Sequence, residues 1–225
     1  MHLPKHILLI MVLLGIGMQQ ASATPIFDSN AIVAIKVMGK KDFCSGVVVG
    51  TNEVLTATHC IYDLRAKTYH SPRTVRIGIG ENIADDSTQW FEVIEIASKP
   101  SARITTAGDF LGNDIVRLTT AGKLAVTPVT IASDPAPNTM LIAWGFGEDQ
   151  WGYYGIRKSR PLENPMLDDK LISFASGACR GDSGGPVLNA RNQVVGIISV
   201  SEVQHCVEPG KRFAQRIGNS EIWNN

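Results

Sequence analysis

Cys179-Arg180-Gly181-Asp182-Ser183-Gly184-Gly185-Pro186 is the stretch that decides how this sequence is read. A serine stands among glycines and directly follows an acid. A nucleophilic hydroxyl must project from a tight turn, with backbone N–H groups near enough to hold a developing oxyanion. Ser183 has that setting, and Gly181 supplies a bare backbone close by. Gly-Asp-Ser-Gly alone marks only a tight turn. A serine alone is also a poor nucleophile, so the reading requires a base and an orienting acid elsewhere.

Two other stretches offer them. His59 follows the strand-like run Glu53 to Ala57 and stands next to Cys60. A lone histidine there is ordinarily structural; a base needs fixed geometry. Asp114 lies between Asn113 and the apolar Ile115-Val116. It reads either as a turn aspartate at a strand start or as a buried carboxylate that holds an imidazole in one tautomer. Asp109 is the nearest competitor. No apolar run follows it immediately, so Asp114 is preferred.

The 225 residues are 44% hydrophobic and 19% charged, enough for one large or two small domains. Lys+Arg and Asp+Glu both number 21, which argues against a nucleic-acid footprint or a polybasic membrane patch. The 21 Gly and 11 Pro are widely spread and suit many short strands and turns. At the N-terminus, His2 and Lys5 precede the apolar run Ile7 to Met18, followed by Ala21-Ser22-Ala23. That pattern predicts a signal peptide over residues 1–23, a mature chain from Thr24, and a secreted protein, extracellular or periplasmic, with no membrane attachment. The run is too short to span a bilayer. Export makes two disulfides the expectation for Cys44, Cys60, Cys179 and Cys206, with three connectivities open. No C-x-x-C pair or zinc-spaced histidines occur, and neither a metal nor a cofactor is expected.

Apolar and alternating runs predict strands at 31–37, 44–49, 53–57, 74–79, 91–96 and 114–118, then a proline-bearing crossover from Lys123 to Asn138. The second half repeats the style at 140–144, 170–175, 186–188, 194–200 and 212–217, with a helical turn at 219–225. Two β-rich halves, about 24–122 and 123–225, suggest two packed barrels.

Thr56-Ala57-Thr58-His59-Cys60, Asn113-Asp114-Ile115-Val116 and Gly181 to Pro186 resemble the signature blocks of the chymotrypsin/trypsin family of serine endopeptidases. Ala143-Trp144-Gly145 is similar to that family's G-W-G. The order His, Asp, Ser sets it apart from subtilisins and α/β-hydrolases. The resemblance covers essentially all of the mature chain. It implies an all-β fold of two packed six-stranded antiparallel β-barrels with the active site in the cleft between them. It implies that Ser183 attacks the scissile carbonyl, His59 moves the proton, Asp114 orients His59, and the N–H groups of Gly181 and Ser183 form the oxyanion hole. The implied disulfides are Cys44–Cys60, which would pin the histidine loop, and Cys179–Cys206, beside the specificity pocket. Main chain from Ser199 through Val200 to Ser201 would take substrate as an added strand.

The resemblance also frames the pocket. Its base would be Gly177 and Ala178, its walls Ser201 and Gly210. No acid stands there, so a basic preference is not expected. The expectation is an uncharged pocket for a small or medium apolar side chain. The Ser201 hydroxyl and His205 leave room for a polar or acidic one. Asp182 is structural by this resemblance, pairing in relatives with a buried N-terminal amine. The usual Ile-Val-Gly-Gly start is missing. Either Ile26 becomes the terminus that pairs with Asp182, or Asp182 finds another cation and no zymogen switch exists. Partners are a protein or peptide substrate and a proteinaceous inhibitor, with the protein a monomer. The competing reading is a catalytically inactive binding module on the same fold. An esterase lacks the strand–turn–helix G-x-S-x-G context it would need.

Overall fold

The computed structural model describes residues 27–98, 114–132, 140–203 and 205–217. The leader, Ile26, Asp109, part of the crossover and the helical turn expected at the C-terminus lie outside these residues.

The first half contains strands β1 (Ile32–Val37), β2 (Phe43–Val48), β3 (Glu53–Thr56), β4 (Tyr62–Asp63), β5 (Thr68–Tyr69), β6 (Val75–Ile79), β7 (Gln89–Ser98) and β8 (Val116–Thr120). Six of them close an antiparallel barrel in the order β1-β2-β3-β8-β7-β6, while β4 and β5 form a separate small hairpin. The unbroken apolar run Ile32-Val33-Ala34-Ile35 is buried throughout, as a strand covered on both faces must be. In β8 burial alternates, with Val116 and Leu118 inward. Each fully buried Ile or Leu contributes about 1.5–3 kcal/mol, and Ile32, Ile35, Leu55, Ile77 and Leu118 do so here.

The second half contains β9 (Ile142–Gly145), β10 (Lys158–Pro161), β11 (Met166–Leu167), β12 (Leu171–Phe174), β13 (Pro186–Leu188), β14 (Val194–Ser201) and β15 (Arg212–Arg216). They form a seven-stranded sheet in the order β10-β9-β13-β14-β15-β12-β11. The expected second six-stranded barrel is therefore built differently. The two edge strands are consecutive in the chain, and Glu163 between them bridges to Ser176. The sheet curls until both edges meet in one bent run. Pro161 cannot donate to a ladder and Asn164 has φ +49, so the run breaks there into β10 and β11. Its polar, proline-bearing sequence gave no strand pattern to read.

The two halves share a core. Phe146, Leu188, Val194, Ile197 and Ile217 pack into the same apolar cluster as the first barrel. A smaller cluster around Leu141, Ile172, Phe174, Val187 and Ile198 fills the second sheet. An apolar seam of this kind fixes one half against the other, which a site assembled from both requires.

Candidate active site

The histidine is placed by three constraints. Strand β3 runs into a 3-10 turn over Thr58–Cys60. Cys60 is joined to Cys44 of β2, so the turn is tied to the barrel wall. The antiparallel register of β3 and β8 sets Thr56 opposite Val116. Carried past the strand ends, that register brings Asp114 beside the turn.

Asp114 is fully buried. Its Oδ1 accepts the His59 backbone N–H at 2.9 Å, and its Oδ2 meets His59 Nδ1 at 2.6 Å. The same Oδ2 accepts the Ser199 hydroxyl at 2.6 Å. The Asp114 N–H donates to Gln215 Oε1 at 2.6 Å. Ser199 belongs to β14 and Gln215 to β15, so the second half holds Asp114 at its carboxylate and at its backbone N–H. These contacts fix Nδ1 as the protonated nitrogen and leave Nε2 the basic one. Burial pushes the imidazole pKa down; the charge of Asp114 and its hydrogen bond outweigh that and hold it above 6.5.

The serine sits on a turn that the first barrel presses into shape. Asp182 N–H donates to Cys179 O at 2.9 Å, Gly185 N–H to Asp182 O at 2.8 Å, and Gly184 N–H to Ile198 O at 2.7 Å. Gly181 and Gly184 have φ of +95 and +82. A Cβ on Gly184 would lie 2.1 Å from Thr56 Oγ1 and 2.3 Å from Ser45 O, so no side chain fits. Ser45, buried in β2, ties the turn down. Its N–H donates to Ser183 O at 2.8 Å, its hydroxyl donates to Gly181 O at 2.8 Å, and it accepts the Phe146 N–H at 3.0 Å. Among the described residues the Ser183 hydroxyl makes a long bond, 3.4 Å, to Ser199 O. Neither the Gly181 nor the Ser183 N–H has an acceptor among the described residues. A hydroxyl loosely held beside two available donors is equipped to attack a carbonyl and stabilise the resulting oxyanion.

Asp182 is 2% exposed. Its Oδ2 pairs with Arg160 Nη1 at 3.1 Å and accepts the Cys179 N–H at 2.8 Å, while Oδ1 accepts the Gly147 N–H at 2.7 Å. Burial raises its pKa, and Arg160 with the two N–H donors opposes that rise. The cation beside Asp182 is thus internal. Gly145 and Gly147 must be glycine here, because a Cβ on either would fall within 2.6 Å of the carboxylate.

A cavity of about 480 Å³ opens beside Ser183. His59, Ala178, Ser199 and Ser201 line it as expected. Gly177 does not: its missing side chain faces Pro161 O and Leu162. Gly210 instead packs against Val203. Val200 contributes backbone to β14. The second disulfide, Cys179–Cys206, is formed, and Cys179 forms part of the wall. The expected uncharged lining is corrected by Arg212 of β15, which lines the cavity at 2% exposure. The residues nearest the serine in sequence did not reveal it, because the register of β14 with β15 brings it in from the end of the chain. His205 lies outside that lining and pairs with Glu148 at 3.6 Å. Ser45, Arg160 and Gln215 were also missed. The only hint was a polar residue interrupting an apolar or turn-rich run.

The sequence model of the Trypsin family matches residues 19–223. The chain is 27% identical to chicken (Gallus gallus) urokinase-type plasminogen activator over 200 residues, covering 72% of this chain and 46% of that protein. It is 26% identical to Trypsin Blo t 3 of Blomia tropicalis over 76% of this chain and 72% of that one. It thus spans about half the length of the first relative and most of the second. A solved Glu endopeptidase structure superposes with a TM-score of 0.69 at 20% identity, covering 90% of this chain and 93% of that one. At that identity the likeness is one of fold. With a family match over nearly the whole chain, a barrel and a curled sheet in the family's arrangement, and two disulfides beside the serine and histidine turns, this chain belongs to the trypsin family of serine proteases.

Proposed function

We propose that the protein is a secreted serine endopeptidase that cleaves through an acyl-enzyme. The observation that carries this reading is the buried Asp114, which holds the Nδ1 face of His59 while Ser183 lines the same cavity. Ser183 Oγ attacks the scissile carbonyl as His59 Nε2 takes its proton. Asp114 stabilises the imidazolium without itself accepting the proton. The N–H groups of Gly181 and Ser183 hold the oxyanion; His59 then protonates the leaving amine. Water repeats the sequence to release the acid.

Substrate main chain lies along Ser199 to Ser201. The ladder of β14 with β15 shifts register between Ile198 and Ser201, which leaves backbone groups there for a new strand. Residues 1–23 are removed on export. Asp182 draws its cation from Arg160, so the oxyanion turn forms without a newly cut N-terminus. The inactive binding module is disfavoured because each catalytic role has an occupant: Asp114 bonds His59 Nδ1, and His59 and Ser183 line one cavity. Hydrolysis of an unstructured protein, with turnover lowered about 10⁴-fold or more in Ser183→Ala at unchanged folding, tests the reading. Near-wild-type turnover in that variant would refute it.

A further inference from the structure

The cavity beside Ser183 is lined by the cations Arg180 and Arg212 and by no carboxylate among the described residues. Arg180 is accounted for: it is 61% exposed and pairs with Asp42 at 2.7 Å. Arg212 is not. It is 2% exposed, and no described carboxylate lies within ion-pair distance of it. Its guanidinium is held by carbonyls: Nη1 donates to Ala175 O and Gly210 O, and Nη2 to Cys206 O and Glu208 O, both at 3.1 Å, with His205 O at 3.5 Å. Nε is buried and has no partner.

Carbonyls orient a guanidinium but carry no net charge, so the full positive charge remains. Glu208 and Glu163 act on it only from beyond contact. A buried charge with no counter-ion is strongly unfavourable unless something supplies the opposite charge. Arginine stays protonated at any physiological pH, so it cannot escape by neutralisation. Ser201 adds a second donor on the same cavity. Its oxygen accepts the Val203 N–H at 3.1 Å, and its own hydrogen has no acceptor among the described residues. A permanent cation, an unused Nε–H and a hydroxyl in one cavity match a carboxylate.

We infer that this cavity binds an acidic side chain, Asp or Glu, of the residue before the scissile bond, and that Arg212 is the specificity-determining residue. The inference rests on the reading of Ser183 as the nucleophile. The carbonyl contacts also let Arg212 brace the 205–210 loop against Ala175, and a purely structural arginine would leave selectivity unmoved.

The experiment uses the exported protein and peptides identical except for Glu, Asp, Gln, Leu or Arg before the scissile bond. Glu is expected to exceed its uncharged isostere Gln in kcat/KM by on the order of 10²-fold, because the buried guanidinium is left uncompensated by the amide. In Arg212→Gln the Glu-to-Gln ratio falls toward one while Leu cleavage persists; Arg212→Lys keeps part of the preference. Equal cleavage of Gln and Glu peptides by the wild type overturns the inference and leaves the protease reading intact. If instead no peptide is cut and a sulfonyl fluoride does not label Ser183, the nucleophile reading itself has failed. Should Arg212→Gln not fold, the wild-type panel decides alone.

Discussion

Asp114 and Asp182 are the same residue type, equally buried, on opposite sides of the seam, and they do opposite things. Asp114 faces a histidine that gains and loses a proton near neutrality. Asp182 faces an arginine that never does. On the proposed mechanism the first pair moves with each turnover; the second is a fixed brace that shapes the Ser183 turn through the Cys179 and Gly147 N–H groups. Burial thus says that a carboxylate matters, and the partner says how. A switchable partner points to chemistry, a permanent one to architecture.

Perturbing the switchable pair and its serine has the largest expected effect. Ser183→Ala and Asp114→Asn should each lower kcat by about 10⁴-fold or more, the second because the amide supports the wrong imidazole tautomer. Steady-state kinetics on folded variants check this. An Asp114→Asn enzyme of near-normal kcat would erase the contrast between the two aspartates.

The fixed pair should fail in another way. Arg160→Met strands a buried carboxylate, so it should cost about 3–5 kcal/mol of stability as well as activity. Denaturant melts read the first and initial rates the second. Arg160→Lys should restore part of both. A variant blocked at its N-terminus, with Arg160 intact, should keep its rate; loss of activity on blocking would reinstate the N-terminal amine as the partner of Asp182.

Acidity separates the pairs without mutation. With neutral His59 as the proposed base, kcat/KM should fall as pH drops through its pKa, and that limb should lie above pH 6.5. Stability should run the other way. A raised histidine pKa means that the imidazolium–Asp114 pair adds its full increment below about pH 6.5 and loses it as pH rises through the folded value. An acid limb well below pH 6.5 would show that burial, and not Asp114, governs His59.

The smallest expected effect is at Ser199. Its hydroxyl shares Asp114 Oδ2 with His59, so Ser199→Ala removes one of the donors that hold the carboxylate. A loss of about tenfold in kcat, with KM little changed, fits one hydrogen bond of roughly 1.5 kcal/mol to a charged group. The pH profile should shift with it, which a packing defect alone would not produce.

How much of this was legible depended on distance along the chain. Apolar runs such as Ile32-Val33-Ala34-Ile35 announced their strands, because burial on both faces leaves a continuous signature. The bent run from Lys158 to Leu167 did not. It is polar, carries two prolines, and is held by edge pairing with β9 and β12, which imposes no apolar pattern of its own. Short blocks named His59, Asp114 and Ser183 as candidates, since each needs a particular local turn. Arg160 and Arg212 were invisible for the converse reason. An arginine in a short strand looks the same whether it faces water or a buried carboxylate, and only strand register decides. Gly177, Ala178, Ser201 and Gly210 carry no charge, and the register that sets Arg212 of β15 opposite Ser201 has no signature in any of them.

The central claim is that Asp114, His59 and Ser183 act as one unit. The most direct measurement is the intact mass of the purified protein after exposure to a sulfonyl fluoride. One adduct on Ser183 is predicted, forming quickly at pH 8, slowing as pH falls through the His59 pKa, and vanishing in His59→Ala. No adduct in folded protein, or an adduct at Ser183 formed equally fast without His59, would contradict it.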